Sequence, residues 1–280
     1  MDYKIVVDSC GELTRRMKKK GIYVTAPLSM QVDGDTIIDD DTFDQADFLR
    51  RVAASPECPK SSCPSPEEYM ELYSGSEKRV YAVTLSSELS GSYNSAQLAK
   101  KLWHEEHGEE KQIYVFNSRS ASVGETLIAC KIEECEEQGM TFEKTVKMVE
   151  EYISGQNTYF VLENLDTLRK NGRLTGIKSF VASALNIKPI MGSTPEGTIC
   201  QLGQARGIKR ALVKMAEQIS RDGKHTKDKI LAIAHCSCPE RAREVERMLL
   251  DKIHVKGSFI VDTAGISTMY ANDGGIIVVL

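Results

Sequence analysis

Arg79-Val80-Tyr81-Ala82-Val83-Thr84-Leu85 runs directly into Ser86-Ser87-Glu88-Leu89-Ser90-Gly91-Ser92 and then into the amphipathic stretch Tyr93 to Trp103. A β-branched and aromatic run, a loop of hydroxyls and glycine, and a helical period make one βα unit. The same order recurs on both sides. Upstream, Lys4-Ile5-Val6-Val7-Asp8 reads as a strand that leads into a helix ending at Arg15-Arg16-Met17-Lys18-Lys19-Lys20-Gly21. Downstream, Ile113-Tyr114-Val115-Phe116 precedes the loop Asn117-Ser118-Arg119-Ser120-Ala121-Ser122 and a helix running to Glu137. Strands alternating with helices place the chain in the α/β class, with a parallel sheet wrapped by helices.

Local chemistry sets the boundaries. Ser9-x-x-Glu12 has the spacing of a capping box for the first helix, whose basic end suits the negative end of the helix dipole as a solvated face. Asp33-Gly34 between apolar flanks predicts a turn, and Asp39-Asp40-Asp41-Thr42 reads as helix-start chemistry, since no spaced calcium-loop pattern is present. Ser65 as N-cap, Pro66 at N1 and Glu68 at N3 fix a helix start, which leaves Ser61 and Ser62 in the loop before it.

Gly155-Gln156-Asn157 marks a boundary between a parallel α/β domain over 1–156 and a smaller mixed α+β domain over 157–280. The second domain holds a strand over Tyr159-Phe160-Val161-Leu162 and a basic helix from Leu165 to Lys170 ended by Asn171-Gly172. A hairpin joins Ile187–Met191 to Thr198–Leu202 through Pro195-Glu196-Gly197. Helices near 207–221 and 239–252 then alternate with strands near 229–235 and 257–262, and Ile276-Ile277-Val278-Val279 reads as a last strand.

Composition excludes several function classes. The 280 residues carry 36 Lys+Arg against 40 Asp+Glu, a net charge of −4, so no global positive field attracts nucleic acid. The apolar set is 41% of the chain, enough for a sizeable core. No run approaches the ~18–20 apolar residues of a membrane span, and Met1-Asp2-Tyr3-Lys4 lacks a signal-peptide pattern, so the chain reads as cytoplasmic. The 8 cysteines show no paired C-x2-C spacing and read as reduced, packed thiols, with a redox or metal module as the alternative.

Familiar enzyme signatures fail. Gly172-x3-Gly176-x-Lys178-Ser179 lacks the P-loop spacing, and His104-Glu105-Glu106-His107 is one residue short of a zinc-binding H-E-x-x-H. Neither a G-x-S-x-G elbow nor a G-x-G-x-x-G turn occurs. His235 follows the apolar run Ile230-Leu231-Ala232-Ile233-Ala234 and could serve as a base at a strand end. A small-molecule hydrolase or phosphotransferase using it is the alternative function.

What remains is a concentration of small hydroxyl residues at strand ends: Ser9; Ser61 and Ser62; Ser86, Ser87, Ser90 and Ser92; Ser118, Ser120 and Ser122. In open α/β sheets those ends form the ligand crevice, where helix N-termini favour an anionic head group. Gly91 would let backbone N–H groups approach it. Serines are equally good helix caps, so both readings stand on these residues alone.

Four segments in order resemble the DegV family of bacterial fatty-acid-binding proteins across essentially the whole chain. Ile5-Val6-Val7-Asp8-Ser9 resembles its opening strand, and Ser61-Ser62-Cys63-Pro64-Ser65-Pro66 is similar to its T-S-Q-P-S-P segment. Leu85 to Ala96 resembles its S-S-x-L-S-G-T-Y-x-S-A segment, and Leu165 to Arg173 its L-x-x-L-x-K-G-G-R run. The resemblance implies two α/β domains enclosing a long-chain fatty acid such as palmitate, with its tail in an apolar tunnel and no further cofactor.

By position, the resemblance assigns the carboxylate to Ser61, Ser90 and Gly91, with Ser62 in reserve. It implies a non-enzymatic carrier for lipid transport, or for presentation of the acid to a separate fatty acid kinase, with Arg169 and Arg173 on the partner-facing or phosphate-facing surface. Two departures are plain: Ser61 and Cys63 replace threonine and glutamine, and the histidine of the kinase-partnered G-T-H-x-G-P-G segment is absent. Ser267, Tyr270 and Asn272 are the candidate substitutes.

Overall fold

The computed structural model describes residues 2–174, 186–223 and 225–280. β1 (Tyr3–Asp8) leads through the short helix α1 (Arg15–Lys18) to β2 (Tyr23–Ala26). A hairpin of β3 (Ser29–Val32) and β4 (Asp35–Ile38), helix α2 (Gln45–Ala54) and the short strand β5 (Lys60–Ser62) follow. Regular alternation resumes with α3 (Pro66–Tyr73), β6 (Arg79–Thr84), α4 (Ser92–His107), β7 (Gln112–Asn117), α5 (Val123–Glu137) and α6 (Phe142–Ser154). The chain continues through β8 (Thr158–Val161), α7 (Asp166–Lys170), the hairpin β9 (Ile187–Ser193) and β10 (Ile199–Arg206), and α8 (Ile208–Asp222). It closes with β11 (Ile230–His235), α9 (Pro239–Leu250), β12 (Gly257–Asp262), α10 (Gly265–Ala271) and β13 (Ile276–Val279).

Three sheets result. A parallel sheet has the order β2-β1-β6-β7, a small antiparallel sheet the order β4-β3-β5, and a mixed sheet the order β10-β9-β8-β13-β11-β12. In the parallel sheet Ile5, Tyr81 and Phe116 pack under Ile128 and Val149, while Val6, Val80 and Ala82 pack against Tyr69, Tyr73 and Ala96. Burial on both faces is why those strands read as nearly unbroken apolar runs. The mixed sheet lays Tyr159, Val161 and Val278 against α8 and α9, and its opposite face meets Val123 and Leu127 of α5.

Several boundaries agree with the sequence. Ser65 and Glu68 form the expected reciprocal capping box, and Asp33-Gly34 makes the turn between β3 and β4 with φ of 51° and 86°. The hairpin around Gly197 forms with antiparallel register from Ile199↔Ser193 onward.

Other expectations are corrected. Ser9 and Glu12 do not cap the first helix; Thr14 does, accepting from Met17 N–H. Ser9 Oγ instead accepts from Leu28 N–H at 3.0 Å, and Glu12 Oε2 accepts from Ala264 N–H at 2.7 Å. Of the three aspartates, Asp40 closes a local turn onto Thr42 and α2 is capped by Asp44. Asp39 caps a remote helix: its two oxygens accept from Gly265 N–H at 2.7 Å and Ile266 N–H at 2.8 Å at the start of α10. A Cβ on Gly265 would lie 2.6 Å from Asp39 Oδ1, so only glycine admits this approach. Ser61 and Ser62 belong to a strand, β5, and α10 itself is too short to announce itself by periodicity. Of the P-loop-like run, Gly176, Lys178 and Ser179 lie outside the described residues.

Burial pushes the Glu12 carboxyl up to about 8 and Asp39 up to about 6, both above their ordinary values. A folded-state value raised above the unfolded one means that the native state holds protons the unfolded chain releases, so stability falls as pH rises through that window. The thermal midpoint is therefore expected to fall as pH rises from about 4 to 8 and to level off above that, with a shallower slope in Glu12→Gln. Thermal scans across that range check this, and an unchanged slope in the variant contradicts it.

Candidate functional site

Between the parallel sheet, the small sheet and the inner face of the mixed sheet lies an open-mouthed cavity. Its walls are mostly apolar, including Leu28, Leu85, Leu89, Phe160, Leu162 and Ile277. A guanidinium, a phenol and two serine hydroxyls gather at one end. Ser61 Oγ, carried by β5, lies 2.9 Å from Tyr270 OH, carried by α10. The Arg173 guanidinium sits 5.8 Å from the centre of the Tyr270 ring and donates from Nε to Leu89 O at 3.1 Å. Ser90, next to Leu89, lines the same end.

Each of these side chains is placed by a distant group. The buried Asp8 carboxylate at the end of β1 accepts from Leu85 N–H at 2.9 Å and from Ser92 Oγ at 2.6 Å. One carboxylate thus pins both ends of the loop that presents Ser90. Tyr69 OH lies 2.7 Å from Ser92 Oγ and completes that anchor. Asn171 Nδ2, beyond α7, donates to Pro59 O at 3.0 Å and ties the turn before Arg173 to the strand that carries Ser61. Burial raises the Tyr270 hydroxyl above its ordinary value, against the lowering influence of Ser61 and Arg173, so it stays a neutral donor.

The cavity follows β8. Thr158, Phe160 and Leu162 alternate onto its wall, and at ~3.3 Å per residue they span about 13 Å. Leu162 packs with Leu168 and Tyr270 at the Ser61 end. Thr158 lies at the other end, its Oγ1 2.6 Å from Ser120 Oγ.

The residues singled out from sequence separate clearly. Ser61, Ser90, Arg173, Ser267 and Tyr270 line the cavity; Ser62, Gly91, Arg169 and Asn272 do not. Ser62 is exposed, as strand alternation from Ser61 requires. Gly91 stands at the start of α4, where a Cβ would lie 3.2 Å from Cys63 Sγ. Arg169 is an exposed residue paired with Asp166 at 3.1 Å, whereas Arg173 turns inward. Ser267 Oγ donates to Cys10 O, and Asn272 Nδ2 to Tyr270 O, so of the candidate histidine substitutes only Tyr270 meets Ser61.

Of the other strand-end serines, Ser86 and Ser122 tie the fold, Ser86 Oγ donating to Gly197 O and Ser122 Oγ to Glu12, while Ser120 lines the cavity. His235 is buried with Nδ1 3.3 Å from Asp262 Oδ1 and is not among the cavity residues, which removes the geometry a hydrolase would need. All eight cysteines are free, and burial pushes Cys10, the one that lines the cavity, well above the ordinary thiol value. Among the described residues no group of His, Cys, Asp or Glu could hold a metal ion, and no helix is long and apolar enough to cross a membrane. Sequence reading placed Ser120 among the strand-end hydroxyls of the crevice, where it lines the cavity, but missed Thr158, Ser193 and Thr198; the alternation Thr158, Phe160, Leu162 was the available sign.

An α/β fold whose sheets close on an apolar cavity, with hydroxyls and a guanidinium at one end, defines a binding protein for elongated amphiphiles. A family model described as "Uncharacterised protein, DegV family" matches residues 2–279, and the chain belongs to the DegV family. A DegV family protein of Ruminococcus gnavus, solved with vaccenic acid, is 64% identical with a TM-score of 0.98, covering 100% of both chains. The Fatty Acid Kinase (Fak) B3 protein of Streptococcus pneumoniae, loaded with linoleic acid, is 30% identical with a TM-score of 0.88, covering 100% of this chain and 99% of that one. A DegV domain-containing protein of Streptococcus pneumoniae is 32% identical over 281 residues, 99% of this chain and 98% of the relative.

The Asp8 anchor carries a direct expectation. Ser92→Ala leaves a buried carboxylate short of a donor and should lower stability by about 1–3 kcal/mol. Denaturant unfolding checks it through a lower midpoint at unchanged slope, and an unshifted midpoint contradicts the anchor.

Proposed function

We propose that this protein binds a long-chain fatty acid, with the carboxylate among Ser61, Ser90, Tyr270 and Arg173 and the acyl chain along β8. The observation that carries this reading is the Ser61–Tyr270 hydrogen bond beside Arg173 at one end of a cavity whose middle stretch is apolar. Hydroxyl donors and a guanidinium give charge-assisted hydrogen bonds, which orient the head group. Burial of the tail contributes about 0.8 kcal/mol per methylene as an upper scale, so a sixteen-carbon acid such as palmitate has ample driving force.

The vaccenic and linoleic acids held by the two solved relatives support the ligand class. Arg173 belongs to the carboxylate end in this reading, while the exposed Arg169 is left for a partner surface. Gly91 contributes as the N-terminus of α4 behind Ser90, and Ser62 contributes nothing. The protein is a cytoplasmic carrier without chemistry of its own, and the resemblance to Fak B3 supports presentation of the acid to a separate kinase. The parts on either side of residue 156 act as two domains that close on the ligand.

Hydrogen bonds to a charged group are worth about 1.5–3 kcal/mol, so Ser61→Ala and Ser90→Ala should each weaken hexadecanoic acid binding at least tenfold. Titration of delipidated protein with a fluorescent acyl probe and competing hexadecanoic acid measures this. Unchanged affinity in the double variant overturns the site; failure of the unaltered protein to bind overturns the function.

A further inference from the structure

The cavity is polar at both ends. Beyond Phe160 the wall changes from side chains without polar atoms to Thr158, Ser120, Ser193 and Thr198. Strand register explains why they meet: Tyr159 pairs with Gly192, which sets Thr158 beside Ser193, and Ser193 in turn pairs with Ile199, next to Thr198. Ser120 comes from the loop after β7, whose neighbour Arg119 packs against the hairpin turn, where a Cβ on Gly197 would lie 2.8 Å from Arg119 Cα. Three neighbouring strands of the mixed sheet and one loop from the parallel sheet thus converge on a hydroxyl cluster about 13 Å along β8 from the carboxylate end.

The hydrogen-bonding capacity of this cluster is not used up. Thr158 and Ser120, 7% and 4% exposed, have two hydroxyl protons and share one 2.6 Å bond, and beyond it Ser120 Oγ has only a long 3.5 Å bond to Ala121 O. Thr198 Oγ1 is paired with Thr194 Oγ1 at 2.8 Å. Among the described residues, Ser193 Oγ accepts one long bond of 3.4 Å from Thr158 N–H and donates none. A bare hydrocarbon end seated here would cover donors and acceptors without replacing their partners, which is unfavourable.

We infer that Thr158, Ser120 and Ser193 form a second polar subsite that selects acyl chains bearing a hydroxyl at their distal end. The inference rests on the fatty-acid reading above and adds to it the ligand's other end. A hydroxyl there accepts the spare Thr158 or Ser120 proton and the Ser193 proton, and donates to a lone pair of the same cluster. The discrimination comes from hydrogen bonds that a methyl end cannot make.

The test compares dodecanoic acid with 12-hydroxydodecanoic acid, whose extended length suits the separation of the two polar ends, as competitors for a fluorescent acyl probe on the delipidated protein. The hydroxy acid is expected to bind at least as tightly as its parent, and Thr158→Val and Ser193→Ala are each expected to lower the ratio of hydroxy-acid to parent affinity about tenfold. Two variants from different strands guard against one that fails to fold. A hydroxy acid bound more than tenfold more weakly than its parent overturns the inference, and so does a ratio that neither variant moves. If neither acid displaces the probe, it is the fatty-acid reading that fails, an outcome separate from both.

Discussion

The carboxylate of Asp39 holds the start of α10 through two backbone N–H groups, and Glu12 holds the residue before it. Taking two carboxyl groups out of water is costly, and these backbone donors, at the start of a helix, offset part of the cost. The remaining structure of the site depends on this contact. It locks a helix from the C-terminal part of the chain onto the small sheet, with Ile266 and Met269 packed against Met30 and Phe48. One turn further along, the same helix delivers Tyr270 to Ser61, closing the polar end of the cavity. Asp8 does the parallel task on the other wall by fixing the loop that carries Ser90. The cavity is therefore shaped by buried carboxylates that do not line its polar end.

That division of labour resolves the double meaning of the serine-rich strand ends. A serine can cap a helix, tie a loop or face a ligand with the same hydroxyl, and only tertiary position decides. Ser92 and Ser122 hold carboxylates, and Ser86 holds a hairpin turn. Ser61 and Ser90 are left at the Arg173 end of the cavity, and Ser120 at the other.

Much of the fold was legible in the sequence because its signals are local. The unit from Arg79 to His107, the Ser65 capping box and the Asp33-Gly34 turn each follow from periodicity or backbone preference over a few residues. Ser9-x-x-Glu12 misled because those residue types satisfy a neighbouring helix or a remote backbone equally well, and here Leu28 and Ala264 take them. The strands of the small sheet have three or four residues and α10 has seven, too few for a period to emerge. Within the site, Ser61 and Ser90 came from strand-end logic and from family resemblance together. Tyr270 came only as a stand-in for an absent histidine, since nothing local to 263–272 reports that β5 lies across from it.

The central claim is that the apolar space beside Ser61, Tyr270 and Arg173 is filled by a long-chain fatty acid. Native mass spectrometry of the purified protein, paired with lipid extraction, tests it most directly. The account predicts a near-stoichiometric adduct whose extracted mass matches a long-chain fatty acid. A clean apo mass that does not shift when hexadecanoic acid is added would contradict it.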